Sequence, residues 1–142
     1  MRVVTLRHTT HFTVEFGDCD PAQIVFYPNF LRWIDSASHH FFVAAGIPSW
    51  SPMEATKGII GTPVVEVSAS FLRPATYGEG ISVETWIEEW RTKSFVMKHR
   101  VRRGEDVLVE GQEIRVFARR DPENPKRIVA IAPPDDIRRL FD

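Results

Sequence analysis

Two aspartates flank a cysteine and precede a proline in the run Glu15-Phe16-Gly17-Asp18-Cys19-Asp20-Pro21-Ala22-Gln23, and Tyr27-Pro28 opens a helical pattern shortly afterwards. A helix start presents N–H groups with no partner inside the helix and carries partial positive charge, so it can hold a developing oxyanion. A carboxylate beside such a site can attack an activated carbonyl, or deprotonate a water that does. The same residues also have a structural use, because Asp-x-Asp-Pro builds an Asx turn and can cap a helix. Spacing alone favours the turn reading for both acids.

Other chemistry-bearing residues are less well placed. His39 and His40 are adjacent, so on a helix they point about 100° apart and cannot share an ion. His8, His11 and His99 fall on separate segments, and no metal site is expected. Cys19 lies between two acids that repel a thiolate, which argues against a nucleophilic cysteine. Arg73, Arg91, Lys93, Lys98, Arg100, Arg102 and Arg103 offer cations for a phosphate, but strand surfaces carry such residues for solubility as well. The chain has no Gly-x-Gly-x-x-Gly, no P-loop and no Gly-x-Ser-x-Gly, so nucleotide hydrolysis and serine-hydrolase chemistry have no support.

The elements that must position these residues follow from periodicity. Thr10, Phe12, Val14 and Phe16 alternate with polar neighbours as in a half-buried strand. Pro28 is tolerated in a first helical turn, and Phe30, Ile34, Ala37, Phe41 and Ala44–Ala45 repeat at helical spacing until Gly46 and Pro48, which predicts a helix over 28–45. Ser51-Pro52 predicts a short helical turn capped by the serine. From Ile59 onward the chain reads as strands, at Val64–Leu72, Ile81–Glu88, Phe95–Val101, Val107–Phe117 and Arg127–Ile131, before a short helix at Pro134–Leu140. One long helix followed by consecutive strands excludes a doubly wound parallel sheet. The expected class is α+β, an antiparallel sheet wrapped around one central helix. Such a sheet leaves a face and edges uncovered, so oligomerisation is expected.

At 142 residues the chain has the size of one domain, here taken as 1–142, with ordinary apolar (43%) and charged (26%) content. A net charge of -1 gives no general pull toward nucleic acid or a membrane surface. One cysteine rules out an internal disulfide framework, and Met1–Thr10 lacks a signal-peptide core, so a cytoplasmic location is expected.

Phe16-Gly17-Asp18-Cys19-Asp20-Pro21 and Tyr27-Pro28-Asn29, with Arg32-Trp33, Asp35, Gly61-Thr62-Pro63, Ala69-Ser70-Phe71, Glu89-Trp90-Arg91, Lys93-Ser94-Phe95-Val96 and Glu113–Ala118, form a pattern spanning nearly the whole chain. This pattern resembles the 4-hydroxybenzoyl-CoA thioesterases of the hot-dog fold, of the type with an aspartate before the central helix. The resemblance implies hydrolysis of aromatic acyl-CoA, 4-hydroxybenzoyl-CoA or a close benzoyl analogue, to the free acid and coenzyme A. It implies Asp20 as nucleophile or general base and the Tyr27 backbone N–H as the group polarising the thioester carbonyl. By the same resemblance Arg91 and Lys93 contact the coenzyme A phosphates, and Asp35 lies on the acyl side. It implies no metal or organic cofactor, and a site between subunits of a dimer at least, with a tetramer expected. The alternatives are a thioesterase for naphthoyl-, aliphatic or carrier-linked acyl groups and a non-catalytic acyl-CoA binding protein. Gln23 departs from the pattern, standing where glycine is usual; it implies either a rearranged loop or a glutamine that reaches into the site.

Overall fold

The computed structural model describes residues 5–142; Met1–Val4, the first part of the stretch read as lacking a signal peptide, lie outside the described residues. Strand β1 (Arg7–Thr13) leads through a 3-10 turn at Phe16–Asp18 to the long helix α1 (Pro28–Ala44) and the short helix α2 (Ser51–Lys57). Strands β2 (Ile59–Gly61), β3 (Val64–Phe71), β4 (Gly80–Trp90), β5 (Ser94–Arg103), β6 (Asp106–Arg120) and β7 (Ile128–Ile131) follow. Helix α3 (Asp135–Arg138) and a final 3-10 turn at Arg139–Phe141 close the chain. All pairings are antiparallel, in the order β1-β4-β5-β6, with β2, β3 and β7 also laid along β6. The expected α+β sheet around one helix is the fold observed, and no helix among the described residues is long and apolar enough to cross a membrane.

Helix α1 buries Phe30, Trp33, Ile34, Ala37, Ser38, Phe41 and Phe42, a stripe at three- and four-residue spacing that lies on the sheet. Gly46, at φ +101°, turns the chain out of the helix as a side chain there would not readily allow. Three local expectations are corrected. Phe16 is not an inward strand residue: the strand stops at Thr13, and Phe16 enters the 3-10 turn with 77% of its surface exposed. Ser51 is not a cap, since Trp50 takes that position and the Ser51 N–H is itself an accepted donor to Ser49 Oγ. Ala44 is exposed, so the buried stripe ends two residues earlier.

The interior divides into two apolar clusters. One surrounds the first half of α1 (Phe30, Trp33, Ile34, with Val83, Val101 and Val109), and the other surrounds its second half (Phe41, Phe42, with Ile87, Phe95, Met97 and Phe117). Between them lies a layer of buried polar side chains, Ser38, Thr85, His99 and Glu113. Strand parity produces it: Thr85 stands between Val83 and Ile87, and His99 between Met97 and Val101, on the face turned to the helix. Gly111, paired with His99, lets the helix come close, because a Cβ there would meet Ile34 Cδ1 at 2.7 Å. One strand is left uncovered. Val65, Val67 and Phe71 of β3 are exposed, and β6 is the strand's one partner among the described residues.

The contact at Gly111 is testable by a double-mutant cycle. Gly111→Ala should cost about 1–3 kcal/mol through overpacking, and Ile34→Val, which removes Cδ1, about 0.5–1.5 kcal/mol. Urea unfolding of the double variant should show a loss smaller than the sum of the two; full additivity would mean that the helix is not seated at this point.

Candidate active site

The loop between β1 and α1 is built around its two aspartates. Asp18 is held by its surroundings: Oδ2 accepts from the Glu15 N–H (2.8 Å), Oδ1 takes Arg32 Nη2 (3.0 Å), and its carbonyl accepts from Asn29 Nδ2 (2.8 Å) and the Phe26 N–H (2.9 Å). It ties the loop to the first turns of α1, the shaping role expected of it. Asp20 begins a β-turn closed by the Gln23 N–H on the Asp20 carbonyl (2.8 Å), with Pro21 second in the turn. Asp20 Oδ1 accepts the Ala22 N–H at 2.8 Å, which is the Asx turn the spacing suggested. Oδ2 has no hydrogen-bond partner among the described residues. The structural and chemical readings of Asp20 are therefore compatible, one oxygen serving each.

Gln23 adopts φ +67°, the one positive φ outside glycine among the described residues. The loop thus keeps the conformation a glycine would take freely, at a strain of roughly 1–2 kcal/mol. Thr76 Oγ1 donates to the Gln23 carbonyl at 2.6 Å and helps hold it there. Gln23 also lines, with Phe16, Cys19, Asp20, Pro21 and Tyr77, an open cleft of about 380 Å³.

At the helix start, Pro28 has no N–H, and the Asn29 and Phe30 N–H groups donate to the carbonyls of Phe26 (2.9 Å) and Tyr27 (3.0 Å). The Tyr27 N–H has no acceptor among the described residues. Of the backbone donors a helix start offers, this one is left to a ligand. Its ring is exposed and packs edge-on against Phe26 and Phe71.

Asp35 lies further along α1, in a different cleft of about 420 Å³ walled by Phe42, Trp50, Ile60, Thr62 and Arg115. Arg91 and Lys93 bracket the exposed turn between β4 and β5, where Arg91 pairs with Glu89 at 3.3 Å. One copy of the chain therefore brings together Asp20 and Gln23, and it does not bring Asp35, Arg91 or Lys93 to them within either cleft.

The polar layer was not anticipated from the sequence. His99 Nε2 meets Glu113 Oε1 at 2.7 Å, Nδ1 meets Thr85 Oγ1 at 2.9 Å, and Ser38 Oγ donates to Glu113 Oε1 at 2.5 Å. Arg115 Nη2 donates to Glu113 Oε2 (2.7 Å) and Asp35 Oδ1 (2.9 Å), while Nη1 donates to the Thr62 carbonyl (2.7 Å). Burial alone would raise the Glu113 pKa, but the hydrogen bond and charge of His99, the Arg115 charge and the Ser38 hydroxyl together lower it to about 2. The signal available beforehand was parity: Glu113 and Arg115 alternate with apolar residues on the same face of β6 as Val109 and Phe117.

An antiparallel sheet around a helix, with a carboxylate on the preceding loop and a free N–H at the helix start, defines a hot-dog thioesterase. Residues 14–138 match the family model described as the thioesterase-like superfamily. The 4-hydroxybenzoyl-CoA thioesterase of Pseudomonas sp. (strain CBS-3) is 48% identical over 132 residues, 89% of this chain and 92% of the relative. The X-ray structure of an aspartate-to-asparagine mutant of 4-hydroxybenzoyl-CoA thioesterase complexed with 4-hydroxybenzoyl-CoA superposes with a TM-score of 0.86 at 43% identity, covering 96% of this chain and 99% of that one. A gentisyl-coenzyme A thioesterase structure gives a TM-score of 0.76 at 34% identity, covering 94% and 98%. The chain belongs to the 4-hydroxybenzoyl-CoA thioesterase family within this superfamily, and it is a thioester hydrolase.

The Glu113 pKa has a consequence for acid stability. A carboxyl depressed from 4.5 to about 2 in the folded state stabilises the fold above pH 4.5 and loses that contribution as pH falls toward 2. The loss is on the order of 3 kcal/mol. Unfolding free energies measured across that range should fall accordingly, and Glu113→Gln should lower stability at pH 7 and flatten the acid limb. An unchanged limb in the variant would assign the acid sensitivity to other groups.

Proposed function

We propose that the protein hydrolyses 4-hydroxybenzoyl-CoA, or a close benzoyl analogue, to the free acid and coenzyme A. The observation that carries this reading is Asp20, with one oxygen locked in the turn and the other free, on a loop fastened to a helix start whose Tyr27 N–H is also free. The thioester carbonyl oxygen accepts from the Tyr27 N–H, which stabilises the negative charge that develops there. Asp20 Oδ2 attacks the carbonyl carbon, the C–S bond breaks, and the sulfur leaves as thiolate and takes up a proton. Water then cleaves the resulting anhydride, returning the carboxylate and releasing the acid. In the general-base variant the same oxygen removes a proton from water, which attacks directly. Gln23 borders the reacting groups from the same cleft, and Arg91 with Lys93 pairs with the nucleotide phosphates. The two structural relatives are named for benzoyl groups bearing ring hydroxyls, 4-hydroxybenzoyl and gentisyl.

The acyl side is completed by a second copy of the chain. Strand β3 offers an unpaired edge and exposed Val65, Val67 and Phe71, which a twofold-related β3 would cover. Such a twofold sets the Phe71 end of one strand against the Val64 end of the other. Phe71 packs against Tyr27 (5.8 Å) and Phe30 (6.0 Å) at the helix start, whereas Thr62 and Pro63, just before Val64, line the Asp35 cleft. The Asp20 and Tyr27 half of one copy thereby faces the Asp35 cleft of the other. A cytoplasmic homotetramer, a pair of such dimers, is the assembly we assign.

Thiol release from benzoyl-, 4-hydroxybenzoyl-, naphthoyl- and short aliphatic acyl-CoA tests the reading. Wild type should turn over the hydroxybenzoyl thioester preferentially, and Asp20→Asn should reduce that rate roughly a thousandfold or more. Binding of these thioesters without thiol release from any of them would make the protein an acyl-CoA binder instead.

A further inference from the structure

Asp35 is an exposed acid on a helix surface, and an exposed acid of this kind ordinarily has a mobile carboxylate and a weak ion pair. Its partner here is different. The Arg115 side chain is only 9% exposed, against 72% for Asp35, and its guanidinium is fixed by the Thr62 carbonyl and by Glu113 before it reaches Asp35. Glu113 is fixed in turn by His99 and Ser38, and His99 by Thr85, so the constraint runs from the middle of the sheet to the mouth of the cleft. One cation serves two carboxylates. Asp35 Oδ1 takes Arg115, and Oδ2 has no hydrogen-bond partner among the described residues. Arg115 itself lines the cleft, and its buried Nε–H has no acceptor. A hydroxyl entering between them can donate to the carboxylate and accept from the guanidinium, a demand that an unsubstituted ring cannot meet.

We propose that Arg115, held by the Glu113–His99 chain, is a positioning residue that orients the Asp35 carboxylate to receive the ring hydroxyl of the acyl group, and so sets the preference for hydroxylated over unsubstituted aryl thioesters. The inference rests on the thioesterase reading above and adds to it the residues that read the ring substituent. The polar layer then has a use beyond packing, since it holds a surface carboxylate in one orientation before substrate arrives.

The test is the ratio of kcat/KM for 4-hydroxybenzoyl-CoA over benzoyl-CoA, measured for wild type, Arg115→Met, Arg115→Lys, Asp35→Ala and the Asp35→Ala/Arg115→Met double variant. Losing one charge-assisted hydrogen bond predicts a fall in the ratio of roughly tenfold or more in Arg115→Met. Arg115→Lys should restore part of it, because an ammonium can meet Asp35 but not all three partners at once. In the double variant the ratio should equal that of Asp35→Ala alone, since Arg115 acts through Asp35. A purely structural role would lower both substrates alike and leave the ratio unmoved, and that result would overturn the proposal. So would a wild-type ratio near one, with hydrolysis intact. Should wild type release no thiol at all, the thioesterase reading fails separately. The ratio is then taken from dissociation constants of the two thioesters by calorimetry, with the same outcomes deciding.

Discussion

The seat of α1 on the sheet is the constraint on which the rest of the molecule depends. Two apolar clusters would hold a helix against a sheet with some freedom to slide or roll, since hydrophobic burial has no direction. The polar layer between them removes that freedom. Ser38 can reach Glu113 and His99 from only one rotation and one axial position of the helix. Any slip would leave a buried carboxylate short of a donor, at a cost of several kcal/mol. Gly111 supplies the matching steric term, giving Ile34, one turn before Ser38, a place where no side chain intervenes.

With the helix fixed in this way, both halves of the site are fixed as well. At the N-terminal end the loop carrying Asp20 is fastened to α1 by Asp18, which grips Asn29 and Arg32, so the carboxylate and the Tyr27 N–H move as one body. Along the side of the helix, Asp35 stands within reach of the same interior chain through Arg115. The two halves open into separate clefts of one chain, and the apolar, unpaired β3 lies between them. A fold that leaves its site in two pieces on either side of an exposed strand requires a second copy to become an enzyme.

Most of the architecture was legible in the sequence because its signals are local. Helix α1 declares itself by Pro28, the apolar stripe and Gly46, and the strands by alternation and by turns such as Arg103-Gly104-Glu105-Asp106. Phe16 was misread because alternation continues past the point where pairing with β4 ends, and pairing is not a local property. Asp20 and Tyr27 stood out as a turn acid and a helix start, but that Tyr27 keeps the free N–H depends on which carbonyls Asn29 and Phe30 reach. The His99–Glu113–Arg115 chain joins residues from three strands and a helix. Parity placed these polar groups on the inner face, but only the register of β4, β5 and β6 puts them in contact.

The central claim is that Asp20 of one copy works against the Asp35 cleft of another, and intersubunit complementation tests it most directly. Asp20→Asn removes the catalytic carboxylate, and Asp35→Arg fills the acyl cleft and repels Arg115. Each variant alone should be inactive. Differently tagged copies of the two, refolded together and purified through both tags, should recover hydrolysis. The unsorted mixture should reach about a quarter of wild-type activity, because half of randomly paired dimers carry one intact site of two. Verified mixed dimers with no recovered activity would place Asp20 and Asp35 of the same chain in one site and contradict the account.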